Sequence, residues 1–522
     1  MSDSQAASKV SVNIVANFGG QLWTALMGFI FVPLYIKFMG IESYGLVGFC
    51  ASLMALFTIL DLGLSTSIVR ETARLAAVPG KEQALRDLLR TLELIFWATA
   101  LVMAVIVVAA APWIAHHWIR PEKLSVSQVQ EAVIVMGVSL ACRWPFALYS
   151  GGLRGLQRQV LLNWIAGVAA TARGLGAVLI LWLVSPTIIA FLLWQIVTDS
   201  LQSVVSGVVL WRSLPAASAK ATFRTDLLKG LWRFTIGISG SSILYLLVTQ
   251  ADKVILSKML TLEMFGYYSL AAVTAAALLK LVAPVQAALF PRLSELVSLG
   301  DHKALVALYH RSCQLVTVSI VPAAIVLALF AKQLLLAWTG DTATSEHTAL
   351  ILSILSIGTA LNGVMFLPYA TQVAYGWVSL SVISNAVCLA VVVPLVILLT
   401  GWYGASGASS AWVLINLGGV LIIIQVMHRK ILKGQQWQWY SLDVGLPSLA
   451  ALVIALAVGQ AMPEGLPRLI SLAVVGVIWL ASAAGSLVTA PALRAAITDK
   501  IGRLWTNVHR RRIPRSNEMG HE

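Results

Sequence analysis

Charge is scarce in this sequence. Only 11% of its 522 residues are Asp, Glu, Lys or Arg, against about 25% in an ordinary soluble domain, which excludes a chain whose surface is mostly water-facing. Cysteine is scarcer still. Cys50, Cys142, Cys313 and Cys388 all lie in apolar stretches, so no disulfide framework is implied, and no metal-ligand spacing is present. A cleavable leader is not expected either. Residues 1–9 are polar, and the apolar run after them is too long for a signal h-region and lacks a small-residue cleavage site. The first helix is therefore expected to stay as a membrane span. Strict polar–apolar alternation is missing as well, which excludes a transmembrane β-barrel.

Apolar surface is what the chain has in excess. Hydrophobic residues make up 59% and the mean hydropathy is +0.85, more than soluble cores of this size can hide. Runs of roughly 20–25 apolar residues, enough to cross a hydrocarbon layer of about 30 Å, are expected at 11–36, 44–68, 91–114, 129–151, 160–184, 187–211, 234–258, 266–290, 312–337, 348–373, 378–400, 403–427, 443–462 and 467–489. The predicted fold is an all-α integral membrane protein of about fourteen transmembrane helices. Numbering the loops alternately places about 26 Lys and Arg inside and about 6 outside, so both termini are expected in the cytoplasm. The net charge of +14 is then topological bias plus the cationic tail at Arg510, Arg511 and Arg512, and nucleic acid is not an expected partner. Trp113, Trp118, Trp182, Trp211, Trp338, Trp402, Trp437 and Trp439 stand at span ends and read as an interfacial belt.

The chain also repeats itself. Lys37, Glu42, Tyr44 and Gly45 recur as Lys258, Glu263, Phe265 and Gly266, and the same offset carries Gly155 onto Gly376. The expected organisation is an N-terminal six-helix lobe (1–212), a C-terminal six-helix lobe (213–442), an extra helix pair (443–490) and a basic tail (491–522). An even helix number gives both lobes one orientation, a plan used by alternating-access transporters.

Four cations remain inside spans once the loops are subtracted: Arg143, Arg173, Lys253 and Lys280. Each costs about 2.5–3.5 kcal/mol on insertion scales, on the order of 10 kcal/mol together, which packing alone would not retain. Asp61, Asp199 and Asp252 are the acids within spans, with Glu93 and Glu131 nearer the interfaces. Polar stripes at helical spacing accompany them: Ser139, Arg143, Ser150 and Arg154; Gln195, Asp199, Gln202, Ser203 and Ser206; Ser242, Tyr245, Thr249 and Lys253; Asn13, Asn17, Gln21 and Thr24. Such stripes face a wet cavity or polar helix neighbours. A cavity with more Arg and Lys than Asp suits an anionic cargo, and the guanidinium fork suits phosphate oxygens. The structural alternative for each charge is an ion pair: Asp199 with Arg143 or Arg173, Asp252 with a cation on another helix. Asp61 has a local cap or Arg70 as its alternative, and Lys253 has snorkelling to the interface. Prolines at 33, 145, 284, 322, 368 and 394 interrupt spans, as in both moving and static membrane proteins.

In the order and spacing of its motifs the chain resembles the Wzx-type polysaccharide flippases of the multidrug/oligosaccharidyl-lipid/polysaccharide exporter superfamily. The resemblance rests on residues 38–45 (Phe-Met-Gly-Ile-Glu-Ser-Tyr-Gly), Leu60 to Leu64 with Arg70, residues 152–158 (Gly-Leu-Arg-Gly-Leu-Gln-Arg), Asp252-Lys253, Gly266 to Ser269, Phe290 to Ser294 and Tyr403 to Ala408. It covers roughly the first twelve helices. It implies movement of an undecaprenyl-pyrophosphate-linked oligosaccharide from the cytoplasmic to the periplasmic leaflet of a bacterial inner membrane. A rocker switch of two lobes and a cationic lumen are implied with it. By position it supports Asp61, Arg154, Arg158, Asp252 and Lys253; the deep arginines rest on the depth argument.

The expected substrate-binding residues are Arg143, Arg173 and Lys280, with Lys253 secondary. Asp61, Asp199 and Asp252 are expected to serve ion coupling or gating, and Arg154 and Arg158 the cytoplasmic entrance. No cofactor or metal is expected beyond a coupling H+ or Na+, and no enzymatic activity. Partners are the lipid-linked oligosaccharide, membrane lipids and other polysaccharide-assembly membrane proteins. Three rivals stand beside this reading. A lipid II flippase would carry lumenal charges on its first helix, where this chain has Asn and Gln. A cation-coupled drug exporter suits an acidic or neutral lumen. A membrane glycan polymerase needs a larger outer loop than 113–128, whose His116 and His117 read as an interfacial pair.

Overall fold

The structure, a computed structural model, describes residues 17, 19–217, 219–461, 463 and 467–499, with the side chains of 228–239 and 241 left aside. Asn13 and the Arg510–Arg512 tail lie outside the described residues. Within them the regular elements are all helical, and eleven helices are long and apolar enough to cross a membrane. The protein is a multi-pass membrane protein. The expected count of fourteen and the orientation of the termini rest in part on residues outside this set. The described helices group into two compact units, the first comprising 1–270, 338–344 and 385–408, the second 271–337, 345–384 and 409–522.

In the first unit, a helix over 19–30 (α1) is followed by α2 (Val32–Phe57), α3 (Leu64–Ala76), α4 (Glu82–Trp113), α5 (Val126–Arg143), α6 (Pro145–Gly155), α7 (Gln159–Leu183), α8 (Ile188–Ser213), α9 (Asp226–Met259) and α10 (Leu262–Ala276), although 271–276 belong to the second. Gly40 interrupts α2 at φ +81°, a conformation that only glycine adopts without strain. The two expected spans therefore part there. Pro145 has no N–H for the Ala141 carbonyl, so α5 and α6 form one span with a break at Trp144.

The second unit holds α11 (Leu279–Leu299), α12 (His302–Leu329), α13 (Ala331–Thr339), α14 (Thr342–Val364), α15 (Phe366–Ala374), α16 (Val378–Gly418), α17 (Ile424–Lys430), α18 (Leu446–Gln460) and α19 (Arg468–Val488), although 338–344 and 385–408 belong to the first. Gly404, at φ +60° and ψ −139°, divides α16 where the sequence places a span boundary. A core of apolar residues around Tyr309, Val316, Leu367, Met427 and Trp439 organises this unit. Trp439 is a correction to the expected belt. Its ring is fully buried, packed against His428 and Tyr440, because the Trp439–Gly445 segment is a π-helical turn folded onto α12.

The internal repeat is visible in the elements. The break at Trp144 between α5 and α6 recurs at Met365 between α14 and α15, 365 minus 144, or 221 residues on. Inside the first unit the repeated motif crosses itself. A Cβ on Gly45 would strike the Leu262 carbonyl oxygen, and one on Gly266 would strike the Ile41 carbonyl oxygen. Each partner is related to the other's by the same offset, so the two glycines permit one close, pseudo-symmetric helix crossing. The repeated glutamates flank it. Glu42 accepts the backbone N–H groups of Glu122, Lys123 and Leu124 at 2.6, 2.8 and 3.2 Å, while Glu263 pairs with Lys123 at 2.7 Å. Both therefore hold the loop between α4 and α5.

Candidate functional site: a charged cluster on α5, α7 and α8

Three helices of the first unit, each part of a candidate membrane span, bring charge together. α8 turns its polar stripe inward, with Asp199, Ser203 and Ser206 buried, and Ser203 donates to the Cys142 carbonyl on α5 at 2.7 Å. Asp199 accepts from Arg173 of α7 at 2.5 Å and from Ser139 of α5 at 3.4 Å. A second bond from Arg173, to Gln202 at 2.9 Å, engages the same polar stripe. The Arg173 side chain keeps 23% of its exposure and the Asp199 side chain 1%. Arg173 Nε is buried with no hydrogen-bond partner.

Arg143 completes the group. It ends α5 at the Trp144 break, is exposed, and lies close enough for its charge to act on Arg173 and on Cys50. No carboxylate among the described residues is within ion-pairing distance of it. The cluster thus holds two guanidinium groups and one carboxylate, an excess of one positive charge. Chemically it offers an anion a free guanidinium beside a second whose fork is already oriented.

The other expected residues fall elsewhere. Lys253 Nζ donates to the Thr249 carbonyl of its own helix at 2.9 Å and stands 3.4 Å from Asp252. Asp252 also accepts from the Tyr268 hydroxyl, so this pair is internally neutral. Asp61 caps α3, accepting from the Ser65 hydroxyl at 2.7 Å and its backbone N–H at 3.2 Å. Arg154 and Arg158 are exposed around the α6–α7 turn. Lys280 is exposed at the start of α11 in the second unit, likewise with no carboxylate in reach among the described residues.

Two polar sites escaped the sequence reading. Glu93 accepts from the Tyr149 hydroxyl at 2.8 Å and Trp211 Nε1 at 3.2 Å while pairing with Arg90 at 2.8 Å; these aromatics and Trp97 line a hollow of about 490 Å³. Only the acid itself was legible. In the second unit, His310 Nδ1 meets Asp443 at 2.5 Å and its Nε2 meets Gln435 at 2.9 Å. Gln314 donates to Asp443 at 2.9 Å and accepts from the Leu493 N–H at 3.0 Å. An acid opening an apolar run was the available signal for Asp443. No group of three His, Cys, Asp or Glu side chains converges on a metal position among the described residues.

Comparison with known proteins places the chain. A family model described as "Polysaccharide biosynthesis protein" matches residues 10–297, more than half of the sequence. The chain belongs to that family. No curated relative matches it. Among solved structures it is similar to the lipid II flippase MurJ in an inward closed conformation, with a TM-score of 0.67, 13% identity, and 90% of this chain and 97% of that chain covered. It is also similar to an inward-facing multidrug resistance MATE family transporter of the MOP superfamily (TM-score 0.60, 14% identity, 78% and 96% covered). A third is the MATE multidrug transporter DinF-BH in a ligand complex (0.57, 15%, 81% and 95%). At these identities the likeness is one of fold. These neighbours are described as a flippase and transporters.

Proposed function

We propose that this member of the family is a flippase. It moves an undecaprenyl-pyrophosphate-linked oligosaccharide from the cytoplasmic to the periplasmic leaflet of the bacterial inner membrane by alternating access coupled to H+ or Na+. The observation that carries this reading is Arg143, a cation inside a membrane span with no acidic partner among the described residues, beside the Arg173–Asp199 pair. An unpaired charge at this depth is expensive. A diphosphate headgroup is an anion matched to it, and its bonds to two guanidinium groups offset that cost during passage. Asp199 is the natural seat of ion coupling. Neutralising its carboxylate by a proton or sodium ion releases Arg173, which changes the positive charge offered to the headgroup. Lys280 is assigned as a further anion contact, and Arg154 and Arg158 as the first to meet the headgroup. Asp252 and Asp61 are assigned to gating.

One other reading has support. The fold is similar to that of a lipid II flippase. Proteoliposomes carrying either a fluorescent lipid-linked oligosaccharide or lipid II separate the two. The expected outcome is faster translocation of the oligosaccharide lipid, falling about tenfold or more in Arg143→Ala at equal incorporation, the loss of one charge-assisted contact. Equal rates for Arg143→Ala would remove the cluster from the mechanism, and a preference for lipid II would replace the cargo.

A further inference from the structure

A hollow of about 820 Å³ in the first unit lies away from the arginine cluster, along another face of α7. Glycine makes it. Gly176 leaves room for the Trp194 ring to lie on the α7 backbone, and a Cβ there would collide with the indole; Trp23 of α1 packs beside Gly167, where a Cβ would meet it at 3.4 Å, an ordinary contact. Both indole N–H groups are spent inside the walls, Trp23 on the Thr171 hydroxyl at 3.0 Å and Trp194 on the Ala172 carbonyl at 3.0 Å. What the hollow presents is therefore carbon: indole faces and the exposed side chains of Trp164, Val168, Leu175 and Leu179.

Its length and its ends identify the occupant. The lining runs along α7 from Val160 to Leu179, about 29 Å at 1.5 Å per residue, nearly the whole hydrocarbon thickness of about 30 Å. An acyl chain of a bilayer lipid reaches only the midplane, so one chain that fills the groove must be longer than a leaflet. One end is polar. Asn163 donates to Asn17 at 2.7 Å, Asn17 bonds Gln159, and Arg158 stands exposed at the first turn of α7. The other end is apolar. A hydrocarbon chain longer than a leaflet with an anionic head at one end matches this pattern.

We infer that the α1–α7–α8 groove is the seat of the isoprenoid tail of a polyprenyl phosphate lipid, with the phosphate at the Arg158 end. The inference rests on the flippase reading and deepens it. α7 carries the apolar groove on one face and Arg173 on the neighbouring one. A headgroup therefore moves past the arginines while its tail stays in a carbon-lined track.

The test uses the full chain in nanodiscs with two photoreactive probes. One is a glycan-free polyprenyl phosphate with a diazirine in its tail, and the other a diazirine phosphatidylglycerol. The expected result is labelling of 160–179 by the polyprenyl probe, competed by unlabelled polyprenyl phosphate and not by phospholipid. Val168→Trp and Leu175→Trp, both at exposed positions, fill the groove from its rim and are expected to cut labelling about tenfold without shifting Tm. Equal labelling by phosphatidylglycerol, or labelling unchanged in both variants, overturns the assignment. Glycolipid translocation is measured on the same preparations. Flipping without label on α7 sinks the groove alone; a labelled groove without flipping upholds the groove and sinks the flippase reading.

Discussion

Two regions of this protein hold ionisable groups inside membrane-spanning helices, and they are built on opposite principles. Around His310 and Asp443, 2% and 0% exposed, the bonding is closed. Both carboxylate oxygens, both imidazole nitrogens and the Gln314 amide have partners. Around Arg143, Arg173 and Asp199 it is open. One guanidinium has no carboxylate among the described residues, one Nε has no acceptor, and positive charge is left over. A closed network ties together α12, the Trp439–Gly445 turn and the segment after α19, and its satisfaction marks it as structural. An open one is kept at an energetic cost and marks a place where something else completes the bonding.

The contrast can be broken most sharply at Asp443. Asp443→Ala strands buried His310 and Gln314, and the expected loss is about 3–5 kcal/mol of stability, read as a fall in Tm in detergent. An unchanged Tm would mean that the closed network is not structural. Next is Arg143→Ala. It should lower affinity for a polyprenyl pyrophosphate probe by about tenfold to a hundredfold, one charge-assisted contact of about 1.5–3 kcal/mol, with Tm unmoved because no partner is stranded. A Tm loss as large as that of Asp443→Ala would erase the distinction. Arg173→Lys keeps the charge but cannot bridge Asp199 and Gln202 with one planar fork. A loss of about 1 kcal/mol is expected, visible in Tm and partly restored by an added anionic ligand. The smallest effect is at Ser139→Ala. Its 3.4 Å bond to Asp199 is long, and a change below about 0.5 kcal/mol in stability is expected from denaturation in detergent.

Much of the fold was legible because lipid imposes a length and a composition on every span. The boundaries at Gly40 and Gly404 were readable from apolar runs, and each falls on a glycine at positive φ. The repeat was readable from four residue types, though not the glycine crossing it encodes, since packing of Gly45 on Leu262 is a contact across more than 200 residues. At the site, depth along the sequence singled out Arg143, Arg173 and Asp199 together. It left open which arginine Asp199 neutralises, because helix rotation, not spacing, aims a side chain. Asp61 stood at a candidate position and proved to cap α3. Trp439 stood at a span end and proved to be core.

Hydropathy, the 221-residue offset and the rarity of charge were sufficient to read this chain as an all-helical membrane protein with an internal sequence repeat and cations inside its spans. Those properties belong to one residue or one helix at a time, and solvent transfer energies read them without a partner. Which charges are quenched and which stay free was decided only when α5, α7 and α8 packed. A buried ion's state depends on neighbours within a few ångströms, and linear order does not specify those.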